Sequence, residues 1–347
     1  MIYTYGCGEL GLLAKAFFEH HKVRFIPIDI NPATYENSKD WDGYEIVTID
    51  KVPKNELILV CISTHSFNVI KKNLNDLGFL NVVSFFDVQE GTNSRSYNPF
   101  PIRSGWVVDS KFFNKHVKKV RSRLHDERSR VHYSQFYTWH SKLKEVLSKR
   151  HKIDGTNRYF IDSITSILRK DETFIDVGAY DGRVAIKFAS LTRGQYKTIH
   201  CLEPDTDSYK KLKSNVQCIN AIVHNIALGN SNKKIGFLGG LGYVSSIKEE
   251  SEVKVQMMKL DSMEIVPSII KYHLEGYELD ALKGSIKTIK EYRPIVIVTT
   301  YHTEDGLVDI PSYLMDRLEN YRFLWRNHNY MGQGAVLYCI PNERYGE

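Results

Sequence analysis

Twice along this chain a short apolar run of strand character ends in a glycine-bearing turn and passes straight into a helical pattern. Ile2–Tyr5 leads into Gly6-Cys7-Gly8 and the helical run Glu9–Glu19; Phe174–Val177 leads into Gly178-Ala179-Tyr180-Asp181-Gly182 and the run Arg183–Ser190. A strand joined to a helix by a tight turn opens a βαβ unit, and a chain that repeats such units builds a parallel sheet, because parallel neighbours need a crossover between them. In the first ninety residues, strands are expected at Ile2–Tyr5, Val23–Ile28, Glu45–Val47, Leu57–Ile62 and Val82–Phe85, with a second helix over Phe67–Leu77 that ends at Gly78. From Thr173 onward they are expected at Phe174–Val177, Thr198–Leu202, Ala221–Asn225, Ile269–Leu274, Ile295–Thr299 and Tyr321–Trp325. A last run, Ala335–Ile340, follows the turn-rich Asn327–Gly334 and should return antiparallel as a hairpin.

With 347 residues there is room for two globular units. Asn, Ser, Pro and Gly crowd Gly91–Gly105, which marks a boundary. The expected layout is a Rossmann-like domain over 1–90, a loop and basic helical linker over 91–154, and a second α/β domain over 155–347. Residues 111–152 hold thirteen Lys/Arg against three Asp/Glu, about +10, so the rest of the chain sums to −4 within a total of +6. Such a segment suits an anionic small substrate, an acidic glycan or nucleic acid, but no helix-turn-helix, zinc or RNA-recognition signature accompanies it, and nucleic acid is not expected as a partner. No apolar run approaches the ~18 residues that span a bilayer. The N-terminus reads as a first strand rather than a secretion signal, and the five cysteines are scattered with no C-x-x-C pair. Reduced thiols and a cytoplasmic location are the expectation; self-association is left open.

The turn after Phe174–Val177 carries the most chemistry. A glycine at the carboxyl end of a first strand lets the chain turn sharply and leaves room for a ligand against the backbone. Gly178 is that residue. Glu203, in Leu202-Glu203-Pro204, stands 25 residues on at the end of the next strand, where a carboxylate accepts from both hydroxyls of a ribose. Tyr180 occupies the place of a middle glycine, so the loop does not match the pyrophosphate fingerprint and suits a sulfonium nucleoside better than NAD. Asp176 would face the cationic end of such a ligand. Seven strands closed by a hairpin are, moreover, the layout of the doubly wound sheet that binds S-adenosylmethionine (SAM).

Five blocks in order resemble the FkbM-type methyltransferases over about Tyr159–Pro341: Asp176-Val177-Gly178-Ala179, Glu203-Pro204, Asn225-Ile226-Ala227-Leu228-Gly229, Lys259-Leu260-Asp261, and Lys271-Tyr272-His273-Leu274-Glu275-Gly276-Tyr277-Glu278 with Leu282-Lys283-Gly284. The resemblance implies a Rossmann-like class I methyltransferase fold with SAM as cofactor. It also implies that Asp176, Gly178 and Glu203 contact SAM, with Asn225 and Ala227 near the adenine. Ala179, Tyr180, Gly182 and Pro204 belong to the same two turns. Many members carry Asn at the position of Tyr180 and Asp at that of His273.

Transfer of a methyl group to a hydroxyl needs a base near the acceptor oxygen. Strand alternation would send Lys271, His273 and Glu275 to one side at the end of Ile269–Leu274. His273 is the favoured base, because an ordinary imidazole is partly neutral at physiological pH. Glu275 would orient it or bind sugar hydroxyls, or else cap the following helix, and His302, at the end of the next strand, is a second candidate. Arg326 and His328, in the hairpin turn, could hold a polar acceptor. His273, Glu275 and His302 suit a divalent ion by type, yet come at no diagnostic spacing, and no metal is expected.

The expected activity is therefore O-methylation of a sugar, a glycan or a related small acceptor, which could be anionic or nucleotide-linked. Two rivals remain open. Gly6, Gly8 and Gly11 form a G-x-G-x-x-G between strand and helix, with Asp29 ending the next strand eighteen residues after Gly11, so the first domain could bind NAD(P) or a nucleotide sugar as an enzyme or sensor. The basic segment could instead make the chain a non-enzymatic binder of an anionic ligand or nucleic acid, with steeply salt-dependent affinity.

Overall fold

The computed structural model describes residues 1–91, 106–238, 246–247 and 251–346. The chain divides into two compact units. One comprises Met1–Val108, Gln135–Ile153 and Asn329–Gln333; the other comprises Asp109–Ser134, Asp154–His328 and Gly334–Glu347. The segment expected to be a linker is thus shared: its helices Ser110–Arg123 and Glu127–Lys142 contribute to both units, the division falling within the second helix. Of the expected boundary Gly91–Gly105, residues 92–105 lie outside the described residues.

The first unit is a four-stranded parallel sheet of β1 (Ile2–Tyr5), β2 (Phe25–Ile28), β3 (Leu57–Val60) and β4 (Val82–Ser84), in the order β2-β1-β3-β4. Helices Glu9–His20 and Phe67–Asp76 provide the crossovers. The run expected as a strand at Glu45–Val47 makes only a single bridge, Ile28 to Val47. Helix Glu9–His20 packs tightly on the turn before it: a Cβ on Gly11 would lie 2.1 Å from the Gly6 carbonyl oxygen.

The second unit is built on seven strands: β5 (Thr173–Val177), β6 (Thr198–Leu202), β7 (Ala221–His224), β12 (Ile269–Tyr272), β13 (Ile295–Thr299), β14 (Tyr321–Asn327) and β15 (Ala335–Pro341). Their order is β14-β15-β13-β12-β5-β6-β7, all parallel except β15, which pairs antiparallel with β13 and β14. Every residue of β5, β12, β13 and β15 is buried, as expected of central strands covered on both faces. The strand reversal between β12 and β5–β6 places both Gly178 and His273 at the carboxyl ends of adjacent strands, the usual ligand edge of a doubly wound sheet.

A second, small sheet was not anticipated: β8 (Ala227–Leu228), β9 (Lys233–Leu238), β10 (Ser246–Ile247) and β11 (Lys254–Met258), in the order β10-β9-β11-β8. Gly236 lies in β9 and Ser246 in β10; residues 239–245 between them lie outside the described residues. Arg326 and His328 are not exposed turn residues either. Both are buried, Arg326 paired with Asp126 at 2.6 Å and His328 held between the Asp154 carbonyl and the Tyr338 hydroxyl.

Candidate active site

The turn after β5 is shaped by backbone constraints that its sequence satisfies. Gly178 has φ +73°, and a Cβ there would sit 1.9 Å from the His273 carbonyl oxygen on the neighbouring strand. Any side chain at this position would push β12 and β5 apart. The Gly178 and Ala179 amides both donate to the Leu202 carbonyl, at 3.0 and 3.1 Å, which ties the turn to the end of β6. Tyr180 takes the left-handed conformation, φ +51°, and Gly182 follows at φ +85° with Val216 and Leu212 against the place of its missing Cβ.

This turn aims one amide at the acid predicted from sequence. Glu203 accepts from the Tyr180 amide through Oε2 at 2.8 Å and from the Asp205 amide through Oε1 at 2.9 Å. Each oxygen keeps a second lone pair, the arrangement required to receive two ribose hydroxyls. Burial pushes the Glu203 carboxyl up to about 7, against the pull of the two amides. The Asn225 side chain donates to the carbonyls of Glu203 and Pro204 at 2.9 and 3.1 Å, so it braces the turn that presents the acid. Ala227 is buried in β8.

Asp176 and Lys271 sit opposite each other in register on β5 and β12, and their side chains form a fully buried pair, Nζ to Oδ1 at 2.7 Å. Lys271 also donates to the Gly178 carbonyl at 2.8 Å. Burial raises the Asp176 carboxyl, with Lys271 opposing, and its Oδ2 has no hydrogen-bond partner among the described residues. A buried polar atom without a partner is a place for a ligand donor. Together with the spare lone pairs of Glu203, it fits a nucleoside with a cationic amino-acid end.

The strand alternation expected for Lys271, His273 and Glu275 does not hold, because β12 ends at Tyr272. Glu275 and Gly276 both have positive φ, +50° and +100°, so the chain turns back on itself. Lys271 serves the β5 turn, whereas His273 and Glu275 meet each other, Nε2 to Oε1 at 2.9 Å. The Nδ1 of His273 is 2.6 Å from the Tyr159 hydroxyl. Burial pushes the His273 imidazole down to about 4, against its hydrogen bond to Glu275.

His302 behaves oppositely. Burial disfavours its charge, yet Glu275 and Glu278 outweigh that and hold it well above the usual imidazole range. Its Nδ1 lies 2.6 Å from Glu278 Oε1 and its Nε2 3.3 Å from Glu275 Oε1. The two carboxylates thus favour its charged form, in contrast to His273. Burial raises the two carboxyls, but His302 dominates: Glu275 lies well below the ordinary range and Glu278 at about 2.

Sequence reasoning missed Glu278, Tyr159, Arg158 and Tyr301. Glu278 is the anchor of the β12 loop: it accepts from the amides of Leu274 and Gly276, each at 2.9 Å, from the Thr299 hydroxyl at 2.9 Å, and from His302. The signal for it was the Glu-Gly-Tyr-Glu spacing at a helix start, where a carboxylate can cap backbone amides. Tyr159 and Arg158 precede the first strand of the second unit and carry no such signal. Arg158 donates to the Tyr301 hydroxyl at 2.5 Å, and Tyr301 lies 3.5 Å from His273 Nε2.

His273, Glu275 and His302 bring one ligand atom each within 4.8 Å of one another, a spacing a divalent ion could bridge. In the protein Glu275 Oε1 lies 2.9 Å from His273 Nε2 and 3.3 Å from His302 Nε2, and only the first of these is a hydrogen bond.

Comparison with known proteins agrees with the geometry. Residues 176–330 match the model of the methyltransferase FkbM domain. The fold is similar to that of methyltransferase FkbM from Methylobacillus flagellatus KT, with a TM-score of 0.68 at 17% identity, over 97% of this chain and 89% of that one. More distant likenesses include a precorrin-6y C5,15-methyltransferase from Geobacter metallireducens GS-15 (TM-score 0.32, 12% identity, 56% and 94% covered) and an SAH-bound methyltransferase from Podospora anserina (TM-score 0.33, 13% identity, 67% and 96% covered). No curated protein matches the sequence. The glycine turn, the anchored acid at 203 and the match of residues 176–330 to the methyltransferase FkbM domain converge on a SAM-dependent methyltransferase.

Proposed function

We propose that the chain is an O-methyltransferase acting on a hydroxyl of a sugar, a glycan or a related small acceptor, and that Tyr159, His273 and Glu275 handle the proton. SAM supplies an electrophilic methyl group when bound, with Glu203 on its ribose and Asp176 toward its methionine end. The observation that supports the reading is the placement of His273. An ionised Glu275 can only accept, so His273 Nε2 carries the proton between them, and the Nδ1 lone pair faces the Tyr159 hydroxyl. A proton leaving an acceptor hydroxyl can then pass to His273 directly or by way of Tyr159, while Glu275 stabilises the imidazolium that forms.

An imidazole held near 4 is a weak base toward a free alcohol. It suffices once the acceptor oxygen has begun to bond carbon, because the oxygen then resembles a protonated ether and is strongly acidic. Tyr301 and Tyr159 flank His273, with ring centroids 6.2 and 6.3 Å away, and Arg158 lies beside both. Aromatic faces with hydroxyl and guanidinium donors at their edges suit a polyol. The basic segment offers less to a competing partner than its composition suggests, since Arg123 and Lys119 pair with Asp316 and Arg130 with Glu127. No helix among the described residues is long and apolar enough to cross a membrane. All five cysteines are unpaired, which suits a reducing compartment such as the cytoplasm.

The test is methyl transfer from isotope-labelled SAM to a panel of sugars and to glycans of the host. His273→Ala should lower kcat by about 10²–10⁴ while SAM affinity stays within threefold, and Tyr159→Phe should lower kcat by less. An unchanged kcat in His273→Ala removes the imidazole from the mechanism; labelling only of nitrogen or sulfur acceptors removes O-methylation.

A further inference from the structure

The first unit contains a cavity of about 610 Å³, and its walls are the carboxyl tips of β1 and β3. The volume is that of a small-molecule or cofactor site. In the order β2-β1-β3-β4 the chain leaves β1 toward β2 on one side and returns to β3 on the other, so the crevice between β1 and β3 is the switch point of this sheet. The methyltransferase site of the second unit makes no use of it.

Four features of the wall define the chemistry of an occupant. Gly6, at φ +110°, turns the chain where a Cβ would strike Ile62 at 2.4 Å. Gly8 begins the twelve-residue helix Glu9–His20 with no side chain capping it, and a Cβ added there meets nothing within 4 Å. Backbone amides at a helix start therefore face open space, with room for a group pressed against the main chain. Asp29 stands just past β2, fixed by the Cys7 amide on Oδ2 and the Asn31 amide on Oδ1, each at 3.0 Å, with the Tyr35 hydroxyl also hydrogen-bonded to it, a donor that a ribose hydroxyl would replace. Tyr35, Leu74 and Ile70 give the cavity apolar surface, while Ser63, Thr64 and Asn73 give it polar groups.

We propose that this cavity binds a ribonucleoside diphosphate compound, its ribose hydroxyls on Asp29 and its diphosphate against the amides following Gly8. Among the described residues no lysine or arginine lines the cavity, and Asp29 and Glu9 do. The charge of a diphosphate is met by amides, the helix dipole and hydroxyls; further phosphates are not provided for. A phosphate on the 2′ oxygen would meet the Asp29 carboxylate. NAD⁺ is thus favoured over NADP⁺, and ADP over ATP, by about tenfold or more. A dinucleotide and a nucleotide sugar share this chemistry.

Titration calorimetry on the full chain, with S-adenosylhomocysteine saturating the methyltransferase site, separates this site from that one. ADP, NAD⁺, NADP⁺ and UDP-glucose are the probes. One of the diphosphates should bind one to one, and whether NAD⁺ or UDP-glucose binds tighter identifies the source. Gly8→Val, whose extended backbone (φ −75°, ψ −159°) accepts a side chain without strain, should fill the amide face and weaken binding at least tenfold. Asp29→Ala should weaken ribonucleotides tenfold but leave a 2′,3′-dideoxy nucleotide unaffected. Methyl transfer should be unchanged in Gly8→Val. Failure of every probe at millimolar concentration, binding that disappears when S-adenosylhomocysteine is present, or equal affinity in both variants overturns the proposal.

Discussion

The acid at 203 makes the sharpest demand on solution behaviour. Glu203 is 7% exposed, and burial raises its carboxyl to about 7 even though two amides already donate to it. Accepting hydrogen bonds from two ribose hydroxyls requires the ionised form. Below pH 7 the protein must release that proton before SAM can bind, so the dissociation constant should rise about tenfold for each pH unit between 7 and the lowered value in the complex, and should level off above 7. Folding responds with the opposite sense. The folded value lies above that of an unfolded glutamate, so this group favours the fold fully below the unfolded value, near ~4.3, and the contribution is lost as pH rises through 7. SAM affinity thus improves over the same interval in which stability falls. In Glu203→Gln the amide keeps only one oxygen, so its NH2 faces the amide of either Tyr180 or Asp205, at a cost of roughly 1–3 kcal/mol. The variant should bind S-adenosylhomocysteine more weakly, by about 10–100-fold at pH 8, and its affinity should no longer vary with pH. Calorimetry at pH 6, 7 and 8 on both proteins measures this, with thermal melts to confirm that the variant is folded. A pH-independent affinity in the parent protein would refute the argument, because it would mean that Glu203 does not titrate on binding.

Lys271→Met leaves Asp176 buried with no countercharge and should lower stability by about 3–5 kcal/mol, a drop in Tm of roughly 10 °C; a melt within two degrees of the parent would show that Asp176 is already neutral and does not need the lysine. Dialysis against EDTA should leave methyl transfer unchanged, since Glu275 Oε1 already joins the imidazoles of His273 and His302. Activity lost to the chelator and restored by a divalent ion would instead make those three residues ligands.

The sheet was legible because its central strands are short continuous apolar runs closed by glycine, proline or acid, and burial on both faces demands just that pattern. Edge features were harder to read. Glu45–Val47 has strand composition but too few neighbours to do more than bridge, and β9 and β11 mix lysines with apolar residues, a pattern that a solvated loop shares. The placement of Gly178 and Glu203 at the carboxyl ends of β5 and β6 was accessible from spacing because it follows from backbone position. Lys271 was not: the pairing register with Asp176 belongs to two strands 95 residues apart, and a strand that stops at Tyr272 cannot be seen from its composition. The same holds for His328, whose apparent place in a turn conceals two buried hydrogen bonds.

Glu278 explains why one histidine of the pair can act as a base while the other cannot. It takes His302 Nδ1 at 2.6 Å together with two loop amides and, with Glu275 Oε1 3.3 Å from the other nitrogen, favours the charged form of His302. Glu275 Oε1 thus lies near both imidazoles and is hydrogen-bonded to that of His273. Burial, the Arg158 guanidinium and His302 together keep His273 neutral against the pull of Glu275, so an imidazolium formed there rests on its hydrogen bond to Glu275. The loop that turns back at Glu275 and Gly276 is what allows both imidazoles to reach the same carboxylate oxygen. A straight continuation of β12 would have sent Glu275 along the strand and left His302 with Glu278 alone.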